Sequence, residues 1–299
     1  MQQGRTSIAV PVAVAIAAIA FYSAMDAVMK ALTIGIGVYN AMLWRMLVGT
    51  LIAGLLWLAF RGPAPSREGL RVHLIRGVMS SLMAILFFWG LARVPLAQGV
   101  ALAFIAPLIS LYLAAILLNE TIERRAILSS LLGFAGVVVI MLGQARANLG
   151  PEAFWGALSI LGSAMLYAWN IVLMRQQALV AKPLEATLFT GLVILACYLP
   201  FAPLWAALPP SGQYGPILGS ALFGVAALTL LSWAYGRAEA QYLAPIEYTA
   251  FIWAAVLGLA FFAEPVRPLT LAGAALIVAG CYVAAKPKKA PLADAMIEV

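Results

Sequence analysis

The chain has 299 residues, of which 65% are hydrophobic and only 10% charged, with a mean hydropathy of +1.01. That apolar fraction exceeds what a soluble core needs and fits a chain dissolved in a bilayer. The net charge of +7 is spread over short connections, which reads as the loop bias of a membrane protein and not as one nucleic-acid-binding patch.

A helix needs about 20 apolar residues to cross the hydrocarbon core. In chain order the sequence predicts spans at 8–32, 38–60, 73–92, 96–118, 126–144, 154–175, 185–206, 215–236, 243–263 and 269–285. The first apolar run has no distinct cleavage region, so it reads as a retained span and not a signal peptide. Short connections, many with Pro or Gly, separate the spans, and no period-two alternation suggests a barrel.

Basic residues set the direction. With the N-terminus inside, the cytoplasmic side receives Arg5, Arg61, Arg67, Arg71, Arg76, Arg124, Arg125, Arg175, Lys182, Arg237, Lys286, Lys288 and Lys289. The outer side keeps Arg93, Arg146, Arg267 and Lys30. This bias places both termini in the cytoplasm and the protein in the inner membrane.

The two halves echo each other. Phe21 to Lys30 (FYSAMDAVMK) aligns with Leu166 to Arg175 (LYAWNIVLMR), matching Tyr22 with Tyr167 and Lys30 with Arg175. Leu118-Asn119-Glu120 has its counterpart in Phe262-Ala263-Glu264, and Leu132 to Gly136 in Leu276 to Gly280. A repeat unit with five spans must enter the membrane from opposite sides in its two copies, the inverted plan of secondary transporters. The expected fold is therefore an all-α polytopic membrane protein. Its ten transmembrane helices form two inverted five-helix repeats (8–144 and 154–285) around a central cavity, followed by a short cytoplasmic tail, 286–299.

Ionisable residues inside a membrane are costly and mark candidate sites. Asp26 lies one helical turn from Tyr22 and from Lys30. It reads as a substrate-ammonium partner or proton carrier or, the favoured reading, as the partner of Lys30. Arg45 reads as a snorkelling arginine, with an Asp26 or carboxylate partner as the alternative. On span six, Ser159, Ser163, Tyr167 and Asn170 form a polar stripe, explained either by interhelical hydrogen bonds or by a site. Trp89 and Trp233 precede Gly90 and Gly236 at matching places and read as interface-belt residues or as an apolar ligand wall. Phe104 and Tyr248 lie on the proline-containing spans four and nine. Glu247 reads as a structural pair with Arg237, with a gate role as the alternative; Glu120 and Glu264 read as structural pairs. The small residues of spans five and ten read as packing posts.

Other chemistry is missing. His73, the single histidine, falls in what reads as a basic cytoplasmic loop, and Cys197 and Cys281 lie in apolar runs, so no metal or cofactor is expected. No phosphate-binding glycine loop or hydrolase constellation occurs. A membrane enzyme or a non-transporting scaffold is thus the weaker class.

The segments from Pro107 through Asn119-Glu120 to Gly133-Phe134-Ala135-Gly136-Val137, and from Pro245 through Ala263-Glu264 to Leu276 to Gly280, resemble the drug/metabolite transporter superfamily, in its EamA-type branch. The resemblance implies a basket-like bundle in which spans one, three, four, six, eight and nine line the cavity while five and ten brace it. It also implies a secondary carrier exporting a small amphipathic metabolite by alternating access. Aromatic and hydrophobic amino-acid exporters are the nearer analogy, because the implied wall is mainly aromatic and apolar. Carriers of S-adenosylmethionine type, or of cationic drugs, are the alternative. The candidate substrate-binding residues are Tyr22, Asp26, Trp89, Phe104, Ser163, Tyr167, Asn170, Trp233 and Tyr248. The expected partners are a small-molecule substrate, the lipid bilayer and, if Asp26 carries one, a proton.

Overall fold

The computed structural model describes residues 9–62, 64–106, 109, 113, 124–146, 150–237 and 249–285. Among them all regular structure is helical. In order these are α1 (Ala9–Ile36), α2 (Val38–Ala59), α3 (Arg67–Leu91), α4 (Leu96–Ala103), α5 (Arg124–Arg146), α6 (Pro151–Val180), α7 (Pro183–Tyr198), α8 (Tyr214–Tyr235), α9 (Thr249–Phe262) and α10 (Pro268–Ala285), with short helical turns at 199–205 and 211–213. Six stretches are long and apolar enough to cross a membrane: α1, α2, α3, α6, α7 with the turns that follow it, and α8 with the turn that precedes it. Shorter apolar helices lie within α5, α9 and α10. Glu120, Glu247, Tyr248, Pro107, Pro245 and the tail 286–299 lie outside the described residues.

Local chemistry sets the boundaries. Gly37 has φ +78°, a conformation that suits glycine, and there α1 breaks into α2. Ser66 caps α3 by accepting from Gly69 N at 3.0 Å. Pro151 and Pro183 open α6 and α7, where a missing N–H costs nothing. The span expected to start at 73 therefore begins earlier, at Arg67, and this shift changes the role of two residues discussed below.

The helix pairings repeat under exchange of the halves. The closest pairs are α5 with α10, α1 with α8 and α3 with α6. Replacing each helix by its counterpart five places on turns α1–α8 into α6–α3, α1–α9 into α6–α4 and α2–α8 into α7–α3, all of them observed contacts. The pairs α5–α10, α2–α7 and α4–α9 map onto themselves. The small residues of α5 and α10 do meet as expected. A Cβ added to Gly136 would lie 2.6 Å from Gly273 O, and one added to Gly273 would lie 2.6 Å from Gly136 O. Only glycine allows this backbone approach.

Large apolar side chains cover both the inside and the outside. Met29, Leu32, Met42, Leu91, Leu102 and Ile160 are fully buried. Leu55, Leu131, Phe134, Leu259 and Phe261 are more than half exposed on the outer faces, as lipid-facing positions are.

Candidate functional site

A cavity of about 300 Å³ lies inside the bundle, within the range of small-molecule sites. Its wall draws on α1, α2, α3, α4, α6, α7, α8 and α9, but not on α5 or α10. Span two, outside the wall in the sequence reading, contributes Arg45 and Thr50, and span seven contributes Thr187 and Thr190. Most of the lining is apolar, including Met25, Met83, Phe87, Phe104, Ile194 and Leu228.

Tyr22, Asp26, Phe104, Ser163, Tyr167 and Asn170 stand on this wall. The matched tyrosines of the two halves thus share one cavity. Trp89 and Trp233 are outside it, and each sits beneath an arginine one turn further along its helix. The Arg93 guanidinium lies 3.7 Å from the Trp89 ring centre, and that of Arg237 lies 4.0 Å from the Trp233 ring centre. Each arginine also donates to the backbone carbonyl of its tryptophan. Tyr248 lies outside the described residues.

The polar stripe of α6 is largely a seam with α3. Ser159 Oγ donates to Leu86 O and Ser163 Oγ to Met83 O, both at 2.8 Å. Asn170 Nδ2 donates to Ser80 Oγ at 2.9 Å, while Asn170 Oδ1 accepts from Arg76 Nε at 2.8 Å. Arg76 Nη1 also donates to Gln177 Oε1. Gln177 Nε2 in turn donates to Thr190 Oγ1 at 2.8 Å and to His73 Nδ1 at 2.6 Å. Since Nδ1 accepts, the remaining proton of His73 is on Nε2, which faces Glu185 Oε1 at 3.3 Å.

One loop assignment therefore changes: His73, read as a loop residue, is fully buried. Arg76, read as a cytoplasmic-side charge near the start of span three, is 5% exposed and stands on the cavity wall. The cap at Ser66 carries the helix start upstream of both, so each sits further inside α3 than the sequence placed it.

The Asp26–Lys30 pair does not form. Lys30 Nζ donates to Glu264 Oε1 at 2.5 Å and to Val94 O at 2.7 Å, and Glu264 Oε2 accepts from Leu96 N at 2.8 Å. Glu264 is structural, as its sequence position suggested. Asp26 instead faces the cavity, makes no direct ion pair among the described residues and interacts electrostatically with Arg45. Arg45 does not snorkel. Its Nη1 lies 3.0 Å from Met25 Sδ and its Nη2 lies 3.3 Å from Met46 Sδ.

Among the described residues, the cavity wall thus carries two arginines and one carboxylate on an otherwise apolar surface, inside a helical bundle whose pairings repeat. Comparison with known proteins places this arrangement. The model of the EamA-like transporter family matches residues 10–142 and again 154–285. The chain belongs to the EamA-like transporter family. It is a multi-pass membrane transporter of the drug/metabolite type and not an enzyme. The pseudopaline exporter CntI of Pseudomonas aeruginosa (strain UCBPP-PA14) is 27% identical over 271 residues, covering 90% of this chain and 93% of that protein. An S-adenosylmethionine uptake transporter of Rickettsia bellii (strain RML369-C) is 27% identical over 222 residues, covering 73% of this chain and 74% of that protein. A solved crystal structure with 21% identity, covering 94% of this chain and 97% of its own, superposes with a TM-score of 0.61 and shares the fold. The two named relatives carry small metabolites, one described as an exporter and the other as an uptake carrier.

Proposed function

We propose that this EamA-like transporter exports small amphipathic metabolites across the inner membrane by alternating access. Amino acids with aromatic or hydrophobic side chains are the first candidates. Ten spans form two inverted five-helix halves, with both termini cytoplasmic and the cavity as the site exposed to each side in turn.

The supporting observation is the placement of Arg45, Arg76 and Asp26 on an otherwise apolar wall. Opposite charges on one wall suit a zwitterion, and the methionines and phenylalanines suit its side chain. Tyr22, Tyr167 and Phe104 offer flat apolar surface with polar edges on the tyrosines. Ser163 and Asn170, already bonded to α3, hold the wall in shape. Asp26 has no direct ion-pair partner among the described residues and is the candidate for the substrate ammonium or a coupled proton.

An S-adenosylmethionine-type substrate is the second reading. It has the same zwitterionic head group, and the Rickettsia relative favours it. A purely cationic drug fits less well, since it would face two arginines.

Purified protein in vesicles loaded with labelled L-phenylalanine tests the first reading. Efflux should exceed that from protein-free vesicles and be inhibited by other apolar amino acids. No flux of any amino acid, together with clear flux of S-adenosylmethionine, selects the second reading.

A further inference from the structure

We infer that Arg45 is the receptor for a carboxylate on the transported molecule, so that the carrier selects for that group. The inference rests on the cavity being the transport site and names the chemistry that the site requires.

The two arginines on the wall differ in how well they are satisfied. Arg76 donates through Nε and Nη1 to two side-chain amide oxygens, and those amides are fixed in turn by Ser80, Thr190 and His73. Among the described residues, Arg45 has only thioethers, Met25 Sδ and Met46 Sδ, as hydrogen-bond partners. A thioether sulfur is a weak acceptor, whereas a guanidinium presents five donors in a rigid fork. Its Nε is enclosed and has no hydrogen-bond partner among the described residues.

Leaving the enclosed Nε of a guanidinium unpaired is expensive, and a carboxylate is the group whose two oxygens match the fork. Asp26 does not fill this role, since no direct ion pair joins it to Arg45 among the described residues. At Gly224 the α8 backbone packs close beside the fork, an approach that glycine permits. A Cβ on Gly224 of α8 would lie 2.9 Å from Arg45 Nη1 and 3.2 Å from Met25 Sδ. Thr50, on the same helix and the same wall, also has an enclosed hydroxyl oxygen without a hydrogen-bond partner among the described residues. Both residues line the hollow from α2, and each keeps an enclosed polar atom that lacks a hydrogen-bond partner among the described residues.

The test compares three probes of one shape by calorimetric titration of the detergent-purified full chain. These are 3-phenylpropionate (carboxylate only), L-phenylalanine (both charges) and phenethylamine (ammonium only). The wild type should bind 3-phenylpropionate and L-phenylalanine at least tenfold more tightly than phenethylamine. In Arg45→Gln that ratio should fall to about one. Arg45→Lys keeps the charge but lacks the fork, so it covers the case in which Arg45→Gln does not fold; it should cut the ratio at least threefold. An unchanged ratio in a folded Arg45 variant overturns the inference, as does failure of 3-phenylpropionate to bind the wild type. Amino-acid flux with a carboxylate preference indifferent to Arg45 overturns this inference and leaves the amino-acid reading standing. A preference lost in Arg45→Gln, without amino-acid flux in the wild type, does the reverse.

Discussion

Lys30 and Arg45 are both cations that the bundle removes from bulk water, and their surroundings differ. Lys30 is 2% exposed and has a carboxylate at 2.5 Å, a backbone carbonyl at 2.7 Å and the Phe262 ring 5.0 Å away. Its carboxylate partner, Glu264, spends its other oxygen on the N–H of Leu96, at the start of α4. The cluster ties α1 to the α3–α4 connection and to the segment after α9, and it leaves nothing to offer a ligand. Arg45 lines the cavity and has two sulfur contacts and, among the described residues, one nitrogen without a hydrogen-bond partner. The contrast suggests a working rule for charges in this fold. A charge whose hydrogen bonds are complete holds helices together, and one whose hydrogen bonds are incomplete beside a hollow awaits a substrate.

Substitutions break or sharpen that comparison. The largest loss of stability is expected at Lys30. Lys30→Ala leaves the partly buried Glu264 without its cation and should cost about 2–4 kcal/mol, read as a large drop in Tm of the purified protein. Adding Glu264→Gln to Lys30→Met should restore much of the loss, because neither charge is then stranded. Next comes the α5–α10 brace, which involves no charge. Gly136→Ala pushes a methyl against the Gly273 carbonyl and should cost about 1–3 kcal/mol by the same measurement. Trp89→Ala and Trp233→Ala remove a cation–π stack at a partly exposed position, about 0.5–1 kcal/mol each, and should leave flux within about twofold of wild type. The smallest stability effect, of the opposite sign, is expected at Arg45. Arg45→Gln removes a poorly satisfied charge and should be neutral or stabilising, on the order of 1 kcal/mol, even as carboxylate recognition is lost. A drop at Arg45 as large as that at Lys30 would erase the distinction between them.

The sequence carried the architecture further than it carried the site. Apolar run length gave the helices, and the echo of Phe21–Lys30 in Leu166–Arg175 foreshadowed the exchange of pairings that the helices show. The α6 stripe pointed to the correct face, since Ser159, Ser163 and Asn170 all meet α3. Hydropathy put Arg76 near the cytoplasmic start of span three, but not on the wall. The longer helix from the Ser66 cap and the facing amides of Asn170 and Gln177 hold it there. Those amides, seven residues apart on one face of α6, were a readable sign that donors lay opposite. The partner of Lys30 was hidden, because Glu264 is distant in sequence and a short-range argument favours Asp26. The tryptophans were misplaced although the signal was present. Trp89 and Arg93, like Trp233 and Arg237, are four apart, the spacing at which a helix stacks one side chain on another.

Filling the cavity tests the central claim most directly. Leu228 lines it from α8. Leu228→Trp keeps the position apolar while occupying the hollow beside the charged wall. L-Phenylalanine efflux from vesicles carrying equal amounts of folded wild type and variant is the measurement. The account predicts near-complete loss of flux in the variant, with little change in Tm. Efflux at the wild-type rate from a folded Leu228→Trp protein would contradict it, because the substrate would then be crossing elsewhere.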